Sequence, residues 1–202
     1  MHADSKAGPE KDADAATAGV FVVVVGPSGS GKDTLIEWLR ARLGARPDVL
    51  FVRRTVTRDA DASLEDHDSL TREAFARAEA AGAFAVTWDA HGLRYGLPIA
   101  LADHVAGGGI AIANGSRGTI PLLRQRFSGL VVINLAVERE ILAARLAARG
   151  RESAEEIAER LARSDAVWDL GEDAVTIDNS GAIDAAGEAV LAHLAPFLSP
   201  AP

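Results

Sequence analysis

A stretch near the start of the chain, GPSGSGKDT, has the residue types and the spacing of a phosphate-binding loop. In the pattern G-x-x-x-x-G-K-[ST], glycines let backbone N–H groups approach an anion, and the lysine reaches the β- and γ-phosphates of a nucleotide. Lys32 is that lysine, and Asp33 stands where the pattern has a hydroxyl residue. We therefore predict that Lys32 is catalytic and that ATP is bound by Gly26, Pro27, Ser28, Gly29, Ser30, Gly31, Lys32, Asp33 and Thr34.

The residues around this loop predict a strand before it and a helix after it. The six residues of VFVVVV, before Gly26, are all apolar and predict a buried strand. After the loop, apolar residues recur at steps of three and four, which predicts a helix: Leu35, Trp38, Leu39 and Leu43. A chance glycine-rich turn is the alternative, but strand, loop, lysine and helix all follow in the required order. Lys32 is also the only lysine after position 11.

The composition predicts one globular domain, in which any anion is held by a local basic cluster. The chain has 202 residues, of which 48% are hydrophobic and 25% charged, and residues 19–198 fit a single domain. We expect residues 1–18, which are small and polar, to be disordered, and residues 199–202 to form a tail. The net charge of −8 disfavours a nucleic-acid partner, and no run reaches the ~18 apolar residues of a membrane span. We therefore expect a cytoplasmic protein; nothing in the sequence specifies its oligomeric state.

Strand and helix patterns alternate from end to end. Strands are predicted in LFVRRTVTR, AFAVTWD, IAIAN, LVVINLAV and AVTIDN. Thr71 is a predicted N-cap, Ser153 with Glu156 a capping box, and positions 183–198 a closing helix. This alternation predicts an α/β fold of the P-loop NTPase type, with a mostly parallel sheet covered by helices on both faces.

Several further motifs together are more specific than the loop. They are RRTVTR, EDH, WDAHGLRYGLP, NGSRG, RLAARGRE and IDNSG. With the loop, they resemble the guanylate-kinase-like P-loop kinases and, within that group, are most similar to the ribose 1,5-bisphosphate phosphokinases of phosphonate breakdown. The resemblance covers nearly all of positions 19–198. It implies a P-loop core, a substrate-binding insert at about 54–98 and a mobile lid at about 145–152.

The resemblance also implies a reaction and the residues for it. The reaction is transfer of the γ-phosphoryl group of ATP to the 1-phosphate of ribose 1,5-bisphosphate, which gives 5-phosphoribosyl 1-diphosphate. Bringing two polyanions together needs cations. We predict catalytic roles for Lys32, Arg149 and Arg151. Substrate binding is predicted for Arg54, Arg58, Glu65, His67, Tyr95, Asn114 and Arg117. Solvated ion pairs are predicted instead for Arg72, Arg77, Arg124 and Arg126.

Asp33 leaves two interpretations open. P-loop enzymes hold Mg²⁺ through the loop hydroxyl and an acid at a strand end. Here the strand end carries Asn114, so we predict that Asp33 supplies the Mg²⁺ ligand, with Asp89 as the other candidate. Alternatively, Asp33 only stabilises the positive end of its helix, by about 0.3–1 kcal/mol. Thr34 keeps a hydroxyl in the first helical turn, for the α-phosphate.

Two competing functions make different demands on the sequence. A guanylate-type nucleoside monophosphate kinase needs a hydroxyl and an acid for the base, where this chain has Leu97 and Asn114. A non-catalytic binding module of the same fold would tend to lose the ATP loop, which is intact here. Tyr95 either binds a phosphate or packs the insert.

Overall fold

The computed structural model describes residues 19–57, 67–90, 92–148, 150 and 153–198. Strands and helices alternate along these ranges. The strands are β1 (Val20–Val25), β2 (Val49–Val52), β3 (Arg54–Thr57), β4 (His67–Leu70), β5 (Phe84–Ala90), β6 (Leu93–Pro98), β7 (Ile110–Asn114), β8 (Leu130–Ala136) and β9 (Val175–Asp178). The helices are α1 (Lys32–Leu43), α2 (Arg72–Ala80), α3 (Ile99–Ala106), α4 (Ile120–Arg126), α5 (Arg139–Ala148), α6 (Ala154–Ser164) and α7 (Ile183–Leu194). Two 3₁₀ turns, Arg117–Thr119 and Ala195–Phe197, precede α4 and follow α7.

The central sheet has five strands in the order β2-β7-β1-β8-β9, and every pair in it is parallel. This confirms the predicted mostly parallel sheet. The register places Val24 beside Asn114 and Val25 beside Asn134. The carboxyl ends of β1, β7 and β8 therefore meet at one edge, directly below the loop that follows β1.

Strand β1 is buried on both faces, which explains its unbroken apolar sequence. Val20, Val22 and Val24 belong to a cluster with residues of α1 and α7. The alternating residues Phe21 and Val23 point to the other face, against α3 and α4. Helices on both faces shield this strand from water, so it lacks the polar alternation of a half-exposed strand.

A second sheet, β4-β3-β6-β5, forms from residues between Arg54 and Pro98. The β3–β4 pair is parallel, and the other two pairs are antiparallel. The run LFVRRTVTR was predicted as one β-rich segment, but it contributes β2 to the central sheet and β3 to the second sheet, with the exposed Arg53 between them. Val86 and Leu97 of the second sheet pack in the same cluster as Phe21, so the two sheets share a core.

The helix limits follow local chemistry. Thr71 caps α2 by accepting a hydrogen bond from the Ala74 N–H, and the predicted capping box of Ser153 and Glu156 is formed. The closing helix stops at Leu194, four residues earlier than predicted, because Pro196 supplies no N–H and the chain turns into 3₁₀ geometry. In the described ranges, no helix is both long and apolar enough to cross a lipid bilayer.

The contact between α1 and α7 generates a stability prediction. A Cβ atom on Gly187 would lie 2.5 Å from ring atoms of Trp38. The Trp38 indole is held in place because its Nε1 donates to Asp184 Oδ1 at 2.7 Å. We expect Gly187→Val to lower the free energy of unfolding by about 1–3 kcal/mol through overpacking, measured by urea denaturation. Gly181→Ala is the matched control, because nothing lies within 4 Å of its added Cβ. Equal stability of both variants and the wild type would contradict the expectation.

Candidate active site

The loop between β1 and α1 turns on three glycines with positive φ angles. These angles are 151° at Gly26, 87° at Gly29 and 88° at Gly31. Space excludes larger residues as well, since a Cβ at Gly26 would lie 2.7 Å from the Leu135 carbonyl oxygen. The glycines thus provide both the backbone conformation and the close packing of the loop.

The Lys32 ammonium lies over the loop that precedes it. Its Nζ donates to the Gly26 carbonyl oxygen at 3.1 Å and to the Pro27 carbonyl oxygen at 2.9 Å. Both carbonyl oxygens are therefore bound to a cation. Lys32 begins α1, and Thr34, in the same first turn, is exposed. The first turn of a helix leaves N–H groups free for phosphate oxygens.

Asn179, which follows β9, holds the loop from the other side and was not predicted. Its Nδ2 donates to the buried Ser30 carbonyl oxygen at 2.7 Å, and its own N–H donates to the Ala136 carbonyl at 2.8 Å. A Cβ on Gly31 would lie 2.6 Å from this Nδ2. The motif IDNSG was noted, but the contact with Ser30 spans 149 positions and is not visible in the sequence.

Asp33 and Asn114 meet at the base of the loop. Asn114 Nδ2 donates to Asp33 Oδ1 at 2.6 Å. The Asn114 Oδ1 atom is buried and has no hydrogen-bond partner among the described residues. Asp89, the other metal candidate, lies on β5, is exposed and pairs with Arg94 at 3.3 Å. No group of three or more His, Cys, Asp or Glu residues suited to a metal occurs in the described ranges.

Two arginines approach the loop region from other elements. Arg160 of α6 donates from Nη1 to Ser28 Oγ at 2.5 Å. Arg117 donates from Nε to Asn134 Oδ1 at 3.3 Å and from Nη1 to the Ser164 carbonyl at 3.4 Å. Burial lowers the pKa of the Arg117 guanidinium from its ordinary value, but arginine remains a cation at neutral pH. For the helix of Arg160 the sequence predicted only the capping box at its start, so its contact with the loop was missed.

The second sheet presents a stacked set of side chains. Tyr95 stacks on Trp88 with ring centroids 5.3 Å apart and an interplanar angle of 11°. The Arg54 guanidinium carbon lies 5.4 Å from the Tyr95 ring centroid. Because β6 lies between β3 and β5, Arg54 and Trp88 flank Tyr95 from opposite sides. Tyr95 is therefore contacted by side chains of both neighbouring strands.

Other arginines are used in ion pairs. Arg94 donates to both carboxylate oxygens of Glu79, at 2.8 and 2.9 Å. The hydrogen bond from Thr87 and, to a smaller degree, the contact with Arg94 lower the pKa of Glu79. Arg124 forms the same kind of pair with Asp173, as predicted for a solvated helix position. These two arginines serve structure and are not available as anion ligands.

Five predicted site residues cannot be placed. Four of them lie outside the described residues: Arg58, Glu65, Arg149 and Arg151. The fifth, His67, begins β4, where the backbone is described and the side chain is not. Their roles stay predictions from the resemblance.

Comparisons with known proteins identify the family. No model of a known protein family matches the chain. The chain is 51% identical over 176 residues to the ribose 1,5-bisphosphate phosphokinase PhnN of Brucella melitensis, covering 87% of this chain and 92% of that protein. It is 47% identical over 171 residues to the protein of the same name from Agrobacterium fabrum, covering 85% and 93%. The chain belongs to the ribose 1,5-bisphosphate phosphokinase family. This confirms the predicted resemblance.

The fold is shared with guanylate kinase. The crystal structure of guanylate kinase from Anaplasma phagocytophilum has a TM-score of 0.60 and 20% identity, with 91% of this chain and 88% of that chain covered. This confirms the predicted fold class. Leu97, the residue that the sequence analysis contrasts with a base-binding hydroxyl, is 1% exposed and packs in the core beside Val86. In this member of the ribose 1,5-bisphosphate phosphokinase family, that position serves packing.

The contact between Asn179 and Ser30 generates a prediction. Asn179→Ala leaves the buried Ser30 carbonyl without its partner, which costs about 1–3 kcal/mol. We expect the loss to destabilise the phosphate-binding form of the loop. The affinity for a non-hydrolysable ATP analogue, measured by calorimetry, should then drop about tenfold. Ser180→Ala is the control, because Ser180 hydrogen-bonds Glu138 and Asp178 but not the loop. Unchanged affinity in Asn179→Ala would contradict the proposed support of the loop.

Proposed function

We propose that this chain transfers the γ-phosphoryl group of ATP to the 1-phosphate of ribose 1,5-bisphosphate, with ADP and 5-phosphoribosyl 1-diphosphate as products. The observation that carries the proposal is the 51% identity to a ribose 1,5-bisphosphate phosphokinase over most of both chains. The intact loop around Lys32 supports an ATP-dependent reaction. Such a reaction on a phosphorylated sugar belongs in the cytoplasm, where ATP is supplied, and its partners are small molecules.

The chemistry fits the residues present. A 1-phosphate oxygen attacks the γ-phosphorus, and the bond from that phosphorus to the β–γ bridging oxygen breaks. The attacking oxygen is already anionic, so no general base is required. The protein has to align the two polyanions and neutralise the charge on the transferred group. Lys32, Arg117 and Arg160 supply positive charge near the loop for this purpose.

The residues at the loop also fit a magnesium ion. Mg²⁺ prefers oxygen ligands, and the Asp33 carboxylate, oriented by a hydrogen bond from Asn114 Nδ2, is a suitable one. An Mg²⁺ ion held by Asp33 would neutralise negative charge on the phosphates of the nucleotide. We propose that Asp33 holds this ion, directly or through water, in place of the loop hydroxyl of other P-loop enzymes.

The second sheet is the proposed acceptor site. Arg54 and Tyr95 lie side by side there and offer a guanidinium group and a phenol for a phosphate. Trp88 stacks on one face of Tyr95, so that face is not open to a purine. Ribose 1,5-bisphosphate has two phosphates and no base, which agrees with this arrangement. We propose that Arg58, Glu65 and His67 complete the acceptor site, and that Arg149 and Arg151 complete the lid.

Substrate choice can be tested directly. Purified protein with ATP and Mg²⁺ is offered ribose 1,5-bisphosphate or GMP, and the diphosphate product is detected by chromatography. We expect kcat/KM for ribose 1,5-bisphosphate to exceed that for GMP by at least about 10³-fold. The site offers no contact to the guanine base, and GMP would leave polar groups of the site unpaired, which discriminates strongly between substrates. Turnover of GMP alone would instead indicate a nucleoside monophosphate kinase. Lys32→Met serves as the inactive control for contaminating kinases.

Arg160 is a second test of the charge arrangement. Because its guanidinium reaches Ser28 of the loop, we expect Arg160→Gln to lower kcat by about 10²-fold, as for other groups that stabilise a transferred phosphoryl group. Arg163→Gln removes an exposed arginine from the same helix and is the matched control. A loss of similar size in both variants would show that helix charge matters and that the contact with Ser28 does not.

A further inference from the structure

The side chains of Asp33 and Asn114 are hydrogen-bonded to each other at the junction of α1 and β7. The Asn114 Nδ2 to Asp33 Oδ1 distance is 2.6 Å, and Asn114 is only 8% exposed. An ionised carboxylate can only accept hydrogen bonds, so the amide must present its N–H group to Asp33. This leaves the Asn114 Oδ1 atom buried without a partner among the described residues, a costly arrangement that calls for an explanation.

The topology fixes this contact. Side chains of β7 alternate between the two faces of the sheet, and Ile110 and Ile112 lie in the cluster that packs against α1. Asn114 is the next residue on that face and thus lies under the first turn of α1. The next residue, Gly115, has to lack a side chain, because a Cβ there would lie 2.3 Å from Val23 Cγ2. Asn114 is therefore directed at Asp33 and not at the second sheet.

The pair has the parts of the usual P-loop metal site in exchanged positions. In P-loop NTPases, a neutral hydroxyl on the loop and an aspartate at a strand end share the ion. Here the loop carries the carboxylate and the strand end carries the neutral amide. Two carboxylates at 2.6 Å would repel each other strongly, so an acid at position 33 is compatible with an amide, and not with a second acid, at position 114.

We infer that Asn114 is a positioning residue for Asp33, and that the two residues form one metal-binding unit in which carboxylate and neutral partner have exchanged places. Asn114 thereby acts on the ATP side of the site and not on the acceptor. This inference rests on the proposed function only in requiring a metal–nucleotide complex at the loop.

The exchange can be reversed by mutation. Mn²⁺ affinity is measured by electron paramagnetic resonance with a saturating non-hydrolysable ATP analogue, for the wild type, Asp33→Ser, Asn114→Asp and the double variant. We expect Asp33→Ser to weaken Mn²⁺ binding at least tenfold, and the double variant to return to within about threefold of the wild type. If the double variant binds Mn²⁺ no better than Asp33→Ser, the exchange is refuted.

A control tests whether rescue depends on position. Asn134 is a buried asparagine on β8, and its neighbours are Arg117 and Thr176. We expect Asp33→Ser/Asn134→Asp not to regain Mn²⁺ affinity, because Asn134 lies on the opposite face of the sheet. Rescue by this variant would mean that any added negative charge suffices, and would refute the inference.

If circular dichroism shows that the buried Asn114→Asp change prevents folding, the effect of Asn114→Ala is compared in the wild-type and Asp33→Ser backgrounds instead. Asn114→Ala is expected to weaken Mn²⁺ binding in the wild-type background and to add nothing in the Asp33→Ser background. An equal loss in both backgrounds would show that Asn114 does not act through Asp33. These binding results do not depend on the acceptor, so failure of wild-type turnover with ribose 1,5-bisphosphate would refute the proposed function separately.

Discussion

The structure depends on how the carbonyl groups of the anion-binding loop are held. A loop can present N–H groups to phosphate only if its carbonyl oxygens are bound elsewhere, since an unpaired carbonyl facing an anion is repulsive. Lys32 binds the carbonyls of Gly26 and Pro27, and Asn179 binds that of Ser30. The loop is thus supported by one contact from its own helix and one from β9, at the far edge of the sheet. The parallel sheet, by placing all carboxyl ends at one edge, makes the second contact possible.

Local patterns in the sequence were sufficient for the fold and for the loop. The apolar run of β1 and the Ser153 capping box each depend on neighbouring residues, and both predictions are confirmed. The second sheet was only partly predicted, because β4, HDSL, is short and largely polar and its pairing with β3 is decided by tertiary contacts. Asn179 escaped prediction for the same reason, since its partner is distant in sequence.

Arginine roles were the hardest to predict, because sequence position does not reveal a nearby carboxylate. Arg94 and Arg117 both lie within the motifs that carry the resemblance. Arg94 nevertheless pairs with Glu79, whereas Arg117 contacts only neutral groups among the described residues. A guanidinium held by a carboxylate has little left to offer a phosphate, and one held by an amide and a carbonyl keeps its charge unneutralised. This distinction matters because the net charge of the protein is −8. In an acidic protein, a polyanion is attracted only by cations that no nearby carboxylate neutralises.

The packing of the second sheet bears on which acceptor the proposed site could take. A base-binding site needs an open aromatic face and a polar group for the base edge. Here Trp88 stacks on Tyr95, Arg54 lies beside the tyrosine ring, and Leu97, two residues further along β6, is turned into the core. Residues 95 and 97 lie on the same side of the strand, so filling the core with Leu97 and covering Tyr95 are parts of a single packing arrangement. An acceptor at the proposed site on this sheet would be bound by charge and hydrogen bonds, and a sugar with two phosphates offers both.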